Sequence, residues 1–145
     1  MRDREVAMPN ENVELKQAGL KVTLPRVKIL QILEQAAQTS RQHLSAEDVY
    51  KLLLESGDDV GLATVYRVLT QFEAANLVER HHFEGGHSVF ELAQSEHHDH
   101  MVCVDSGEVM EFYDPIIETR QHEIAAEQGY DIVDHSMVLY VKRRP

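Results

Sequence analysis

Apolar residues in the first part of the chain recur with the three- and four-residue spacing of amphipathic helices. Thr23 offers a side-chain cap and Pro25 fits a first helical turn, so the sequence predicts that a helix begins there. The apolar stripe of this helix is Val27, Leu30 and Leu33. A shorter helix is predicted before it, over Glu11 to Ala18, with Gly19 at its end.

Two further helices follow with the same kind of pattern. Ser45 and Asp48 have the spacing of a capping box, and the helix that they begin is expected to end before Gly57. The next helix is predicted over Leu62 to Ala75, with Asn76 as its terminator. The apolar stripes of these two helices are Val49, Leu52 and Leu53 in the first, and Val65, Leu69 and Phe72 in the second.

Two strand patterns come next, over Leu77 to Phe83 and Ser88 to Leu92. Glu84-Gly85-Gly86-His87 is predicted to join them as a tight hairpin, because glycine accepts positive φ at little cost. Three helices followed by a two-stranded hairpin make a winged helix-turn-helix. We therefore predict a winged-helix DNA-binding domain over residues 1–92, with residues 1–10 as a loose tail, and a hinge at residues 93–96.

The last third of the chain has a strand, strand, helix, strand pattern. Its predicted elements are strands over His97 to Val104 and Val109 to Tyr113, a helix that Asp114-Pro115 opens and Gly129 closes, and a final strand over Tyr130 to Val141. Four such elements hold little core alone, so dimerisation through a shared sheet is expected. The predicted fold class is α+β, with a small α/β dimerisation and metal-binding domain over residues 97–145.

Composition and charge narrow the class of protein. The chain has 145 residues, 43% of them hydrophobic, which is enough for one ordinary core or two small ones. No apolar run approaches the roughly 20 residues of a membrane span, and no signal core follows Met1, so a cytoplasmic protein is expected. A net charge of -11 argues against non-specific nucleic-acid binding by the whole chain. Residues 13–30 are nevertheless locally basic. In residues 91–134, by contrast, Arg120 is the only Lys or Arg.

Four potential metal ligands stand in succession at His97-His98-Asp99-His100, directly before an apolar run. On a strand, successive side chains point to opposite faces. His97 and Asp99 would then face one side, and His98 and His100 would face the other, so one strand could serve two metal sites. Imidazole and carboxylate ligands suit iron(II), manganese or zinc. A solvated polar strand end, or hydrogen-bonded core histidines, would be the structural alternative.

The helix predicted over residues 62–75 has a polar outward side. This side carries Thr64, Tyr66, Arg67, Thr70 and Gln71. A helix fits the major groove, where Arg can pair with guanine. Lys21, Arg26 and Lys28 would lie nearer phosphates or the minor groove. An ordinary solvated helix face is the alternative, but the position of this helix before a hairpin favours DNA reading.

Six segments resemble the ferric uptake regulator (Fur) family. In order they are AGLKVTLPR (18–26), SAED (45–48), GLATVYRVL (61–69), FEGG (83–86), HHDH (97–100) and DHS (134–136). The resemblance implies a homodimer whose metal-loaded form binds a palindromic AT-rich DNA operator and represses iron-uptake genes. Pairing of dimers into tetramers is left open by the sequence. It also implies DNA contacts by Lys21, Tyr66 and Arg67, to which the outward-facing Thr64 is added.

The resemblance sorts the candidate ligands into two sets. The first set is His97, Asp99, Glu118 and His135, all in the second domain, with His135 on the final strand. The second set is His43, Glu91, His100 and Glu111, with His98 as an optional ligand. An ion bound by the second set would take ligands from both sides of the hinge. It would fix the position of each DNA-binding domain on the dimer and so couple metal binding to DNA binding. Taken separately, His43 and Glu91 could be a surface histidine and an ion-pair partner.

Mixed nitrogen and oxygen shells with more than four donors favour iron(II) or manganese over tetrahedral zinc. The resemblance implies iron(II) as the metal in the cell, with manganese or zinc substituting in vitro. Many relatives also hold a structural zinc with paired Cys-x-x-Cys elements. Here Cys103 is the single cysteine, and Ser106 stands at the second place of the pair. We therefore predict no structural zinc held by four cysteines.

Other functions fit the sequence less well. Sibling zinc, manganese or peroxide-responsive regulators are the nearest alternatives, although the missing thiolate site weakens the zinc and peroxide versions. From another class, a metallohydrolase would use clustered His and Asp to activate water. The chain lacks the His-x-His-x-Asp-His and His-Glu-x-x-His spacings and any glycine-rich phosphate loop, so we predict no enzyme activity. A purely structural metal-binding dimer is a further alternative.

Overall fold

A computed structural model describes residues 11–39, 43–83, 88–93 and 97–145. The chain divides into two compact units, Met1–Ala93 and Gln94–Pro145. Three predicted features lie outside the described residues: the tail at 1–10, the hairpin turn at 84–87, and residues 94–96 of the hinge.

Helices followed by a hairpin make up the described part of the first unit. The elements are α1 (11–17), α2 (Leu24–Ala37), α3 (Ala46–Glu55), α4 (Leu62–Ala74), β1 (Val78–His82) and β2 (Ser88–Leu92). Their order is that of a winged helix-turn-helix, and their bounds lie close to the predicted ones. The two strands pair antiparallel.

The helix boundaries follow from local hydrogen bonding. Thr23 caps α2 by accepting from the backbone N–H of Arg26, with Pro25 in the first turn. At α3, the Ser45 hydroxyl accepts from the Asp48 N–H and the Asp48 carboxylate accepts from the Ser45 N–H, both at 3.0 Å. The predicted capping box is therefore confirmed. Asn76 adopts a φ of 62° and ends the turn that leads from α4 to β1.

The core of the first unit is built from the predicted stripes. Its fully buried side chains include Leu30, Leu33, Val49, Leu53, Val65, Leu69, Phe72 and Phe90. Leu52 is only partly buried. Because the inward faces of α2, α3 and α4 are apolar, their polar faces are left toward solvent, including the face of α4 predicted to read DNA.

A single backbone bridge extends the hairpin of the first unit. Leu44 and Phe90 exchange two hydrogen bonds, with N···O distances of 3.0 and 2.7 Å. In this antiparallel arrangement their chain neighbours His43 and Glu91 become partners as well. The bridge therefore brings the residue before α3 to the end of β2.

The second unit contains a three-stranded mixed sheet and one helix. The elements are β3 (Asp99–Cys103), β4 (Val109–Phe112), α5 (Pro115–Glu127) and β5 (Val138–Val141), and the strand order is β4-β3-β5. β3 pairs antiparallel with β4 and parallel with β5. Asp114 caps α5 by accepting from two backbone N–H groups, as the Asp-Pro pair predicted. The α+β fold class is confirmed.

Two predicted strand starts are wrong. The final strand begins at Val138 and not at Tyr130, and β3 begins at Asp99 and not at His97. β3 offers β5 partners only from His100 to Cys103, so the sheet has no room for a longer final strand. His135 therefore lies in the irregular segment before β5, and not on the strand as expected. Across the described residues, no helix combines the length and the apolar character that a membrane crossing requires.

Candidate metal centres and nucleic-acid interface

The second unit brings together all four residues of the first predicted ligand set. One ligand atom from each of four side chains lies within 4.8 Å of the others: His97, Asp99, Glu118 and His135. The shortest contacts join His97 Nε2 to Asp99 Oδ1 at 2.9 Å and His135 Nε2 to Glu118 Oε1 at 3.2 Å. His97 lies just before β3, Asp99 begins β3, Glu118 lies in the first turns of α5, and His135 lies in the irregular segment before β5.

The charge of this cluster needs compensation. Asp99 is 0% exposed, and its Oδ2 accepts no hydrogen bond from any residue in the described ranges. Glu118 is also buried, and the ion-pair partners of both carboxylates in the described part of the chain are histidines. A buried carboxylate is costly without a cation or hydrogen bonds. Two imidazoles and two carboxylates thus form a donor set that fits a divalent ion such as iron(II), manganese or zinc.

A second group of donors lies on the β3–β4 ladder of the second unit. His100 and Glu111 are direct partners across the two strands. His98 Nε2 lies 3.5 Å from Glu111 Oε2, and the His98 and His100 rings are 4.8 Å apart in an edge-to-face arrangement. The prediction that His98 shares the side of His100 agrees with this geometry.

In the first unit, a buried carboxylate lies between two histidines. Glu91 Oε2 is 3.0 Å from His43 Nε2, and Glu91 Oε1 is 2.7 Å from His81 Nε2. The Leu44–Phe90 bridge brings His43 to Glu91. His81 reaches Glu91 along the hairpin, because Glu79 is the direct partner of Glu91 and His81 is its diagonal neighbour on the same face.

His81 is absent from the predicted ligand sets. Its parallel stacking on Phe83, with ring centroids 5.7 Å apart, fixes the imidazole beside Glu91. The signal was present in the sequence: a hairpin that pairs residue 79 with residue 91 puts residue 81 on the same face. Reading it required the strand register, which depends on the hairpin turn.

Cys103 is buried near the end of β3. Hydrogen bonding with the side chain and backbone of Ser106 lowers the pKa of its thiol. Ser106, at the place where a second cysteine would complete a pair, therefore contacts Cys103 as a hydrogen-bonding hydroxyl.

The predicted reading face lies on the polar side of α4. Tyr66 and Arg67 are exposed, Thr64 is half-buried, and Lys21 is exposed in the segment before α2. Tyr66 donates its hydroxyl to Glu47 Oε2 at 2.6 Å, and this bond raises the pKa of the phenol. Arg67 approaches the Thr64 hydroxyl at 3.4 Å. The face therefore offers a neutral phenol ring and a guanidinium with most of its donors available.

Comparison with known proteins agrees with these features. Residues 17–140 match the Ferric uptake regulator family. The Ferric uptake regulation protein of Pseudomonas aeruginosa is 69% identical over 134 residues, which cover 92% of this chain and 98% of the relative.

Two solved structures are similar to the whole fold. The ferric uptake regulator of Vibrio cholerae superposes with a TM-score of 0.83 at 58% identity, over 91% of this chain and 98% of that one. The regulator from Pseudomonas aeruginosa, solved with manganese, gives a TM-score of 0.76 at 67% identity, over 93% and 98% of the two chains. This chain therefore belongs to the ferric uptake regulator family of metal-sensing, DNA-binding transcriptional regulators, and it is not an enzyme.

Proposed function

We propose that this protein is an iron(II)-responsive repressor. In its metal-loaded form it binds palindromic AT-rich operators as a homodimer and controls iron-uptake genes in the cytoplasm. The observation that carries the proposal is the convergence of His97, Asp99, Glu118 and His135 around a fully buried carboxylate oxygen. The name of the Pseudomonas aeruginosa relative supports iron, and manganese in the structure of that relative supports its use as a substitute in vitro.

The first proposed metal site consists of these four residues. A divalent cation would neutralise Asp99 and Glu118, which are buried with only histidine partners in the described ranges. The ion would also join α5 to both β3 and the segment before β5. This site would therefore stabilise the second unit, which has few buried apolar residues of its own.

The second proposed site takes ligands from both units. His43 and Glu91 would contribute from the first, His100 and Glu111 from the second, with His98 as an optional ligand. Two features support this proposal: His43 and Glu91 are in contact at 3.0 Å, and His100 and Glu111 are strand partners. Each pair offers one imidazole and one carboxylate, and two such pairs form the mixed shell that iron(II) and manganese accept.

A shared ion would couple metal binding to operator binding. A dimer binds two half-sites about 34–36 Å apart only when its two DNA-binding domains are held at that separation. Metal and DNA would then favour the same conformer, and each would strengthen the binding of the other. A gain of ~100-fold in operator affinity corresponds to about 2.7 kcal/mol of coupling.

The dimer is proposed to form through the second unit, residues 97–145. Large apolar side chains are exposed there in the single chain, including Ile116 (79%), Ile124 (47%) and Tyr140 (43%). Contact with the same surface of a second copy would bury them. Residues 1–92 would read DNA, through Thr64, Tyr66 and Arg67 in the major groove and Lys21 near the backbone or minor groove, and residues 93–96 would be the hinge.

Fluorescence anisotropy tests the proposal directly. The full-length protein would be titrated onto labelled AT-rich palindromic duplexes, with manganese or anaerobic iron(II), and with a chelator. We expect at least a tenfold gain in affinity with metal, and no such gain on a scrambled duplex. Equal affinity with metal and with chelator would defeat the proposal. For each metal, the free concentration that gives half-maximal operator binding would be compared with the concentration available in a cell. If zinc meets this requirement and iron(II) does not, the chain would be assigned to zinc sensing.

A further inference from the structure

Arg26 joins two segments of the proposed DNA-binding surface. It lies in the first turn of α2, yet its Nε and Nη2 atoms donate to Oε1 of Gln71 on α4, at 3.3 and 2.9 Å. Its Nη1 donates to the backbone carbonyl of Lys21 at 2.8 Å. One guanidinium therefore holds the reading helix and the segment before α2 together.

This contact fixes the orientation of the Gln71 amide. A guanidinium has only donors, so the amide atom that faces it must be the oxygen. Two N–H groups of Arg26 point at Oε1 and use its acceptor capacity. The two Nε2 donors make no hydrogen bond to any side chain or backbone group that the structure describes. Gln71 therefore presents donors and no free acceptor.

Gln71 lies on the proposed reading face of α4. Thr64, Arg67 and Gln71 are at positions i, i+3 and i+7, which share one side of a helix. Gln71 is half-buried, and its Nε2 is not among the fully buried polar atoms without a partner in the described residues. The amide is thus positioned beside Arg67, one turn further along the helix.

We propose that Gln71 reads a base as a hydrogen-bond donor only, and that Arg26 is the positioning residue that imposes this restriction. The inference rests on the proposed DNA reading by α4. A free glutamine can bind adenine with both amide atoms, by donating to N7 and accepting from the N6 amino group. With Oε1 held by Arg26, Gln71 can donate to N7 or O6 of guanine, N7 of adenine or O4 of thymine, and it cannot sense the adenine amino group.

Atomic substitutions in the DNA test this restriction. The probe would be an AT-rich duplex selected from a random pool by the manganese-loaded, full-length protein. At each position, 7-deazapurines remove the N7 acceptor, 6-thioguanine and 4-thiothymine weaken the O6 and O4 acceptors, and nebularine removes the adenine amino group alone. Affinities of the wild type and Gln71→Leu would be compared on every duplex. Gln35→Leu, at an exposed position on α2, is the matched control.

We expect one position per half-site at which loss of an acceptor weakens the wild type about 3- to 10-fold, as for a single hydrogen bond. Gln71→Leu should show less than a twofold effect at that position, while Gln35→Leu should behave as the wild type. No position should show a nebularine effect that depends on Gln71. Thermal melting of each variant would establish that the fold is retained.

Arg26→Lys separates positioning from phosphate contact. Lysine keeps the charge but cannot hold Oε1 with two parallel donors. We expect this variant to lose the acceptor sensitivity that depends on Gln71, while the slope of log affinity against log salt concentration remains that of the wild type. A shallower slope with the acceptor sensitivity intact would show that Arg26 acts on phosphate and would overturn its positioning role.

Two other results would overturn the inference while leaving the proposed function intact. One is a Gln71→Leu effect of equal size on all duplexes, which would mean that Gln71 only supports the fold. The other is a nebularine effect that disappears in Gln71→Leu, which would mean that Oε1 reads DNA. If the metal-loaded protein selects no preferred duplex, the proposed function itself fails and this inference fails with it.

Discussion

His43 Nε2 lies 3.0 Å from Glu91 Oε2, and the two side chains are only 4% and 1% exposed. These residues are 48 positions apart in the sequence, and they meet because Leu44 and Phe90 form a backbone bridge beside them. The pair is buried at the end of the hairpin, so it is not the surface ion pair considered as the alternative. The contact is consistent with the proposal that both residues are metal ligands.

The first prediction compares His43→Ala with Asp99→Ala. If an ion bound by both units sets the separation of the two DNA-binding domains, His43→Ala should reduce the metal-dependent gain in operator affinity by about tenfold. This corresponds to a loss of about 1.4 kcal/mol of coupling free energy. Its affinity without metal should remain that of the wild type. Fluorescence anisotropy with manganese and with chelator measures both values. A full metal response in His43→Ala, together with a lost response in Asp99→Ala, would contradict the shared-site mechanism.

The second prediction concerns the cluster around Asp99. Asp99→Asn removes a buried negative charge, so the metal-free protein should be at least as stable as the wild type. At one site, a ligand present at about 100 times its Kd stabilises the wild type by about 2.7 kcal/mol, and this contribution should disappear in the variant. Thermal melting with and without manganese measures the difference. Asp105→Asn, exposed in the β3–β4 turn, is the control and should keep the full gain.

A loss of stability in Asp99→Asn that is equal with and without manganese would show that Asp99 is a structural hydrogen-bonding residue. Such a result would remove the first proposed metal site.

The third prediction concerns the capping box of α3. Ser45→Ala removes the acceptor for the Asp48 N–H and should lower the free energy of unfolding of the chain by about 1 kcal/mol. Ser45→Asp should largely restore it, because aspartate is an equally good N-cap. Urea denaturation monitored by circular dichroism measures both variants. Equal stability of Ser45→Ala and the wild type would mean that water replaces the cap at no cost.

The fourth prediction is a pH dependence that arises between α1 and α2. Burial, together with hydrogen bonds to Glu11 and Glu14, raises the pKa of Glu34 from 4.5 to about 9. Between these pH values the folded protein holds a proton that the unfolded chain releases. The contribution of Glu34 to the free energy of unfolding is therefore fully present below pH 4.5 and is lost as the pH rises toward 9.

Glu34→Gln keeps a neutral hydrogen-bonding side chain without the titration. The variant should be more stable than the wild type at about pH 8 and nearly equal to it close to pH 4.5, as measured by urea unfolding across that range. Glu55→Gln, at the exposed end of α3, is the control and should leave the pH profile unchanged. Parallel profiles for Glu34→Gln and the wild type would contradict the raised pKa.

Local signals predicted most of the fold. Thr23, Ser45 and Asp114 each cap the helix that follows, and the apolar stripes of α2 to α4 form the core of the first unit. Such features depend on residues three or four positions apart, and a sequence displays them directly. The ligand cluster in the second unit was expected from a resemblance, since nothing local connects Glu118 with His135.

The errors arose where a non-local partner decides the structure. Tyr130 to Met137 contains β-formers, yet strand formation there would need partners that the short β3 does not provide. His81 was missed because its proximity to Glu91 depends on hairpin register and not on spacing along the chain. In both cases the relevant contact is with another strand.

The middle position of β3 in the second sheet has a consequence for biosynthesis. Its parallel partner β5 is made after α5, and Val138 pairs with His100, a residue made 38 positions earlier. The sheet therefore cannot close until β5 has left the ribosome, whereas α2 to α4 need no later residues to fold against one another. The nascent protein could therefore pack α2 to α4 first, and it could complete the second sheet only after β5 had been made.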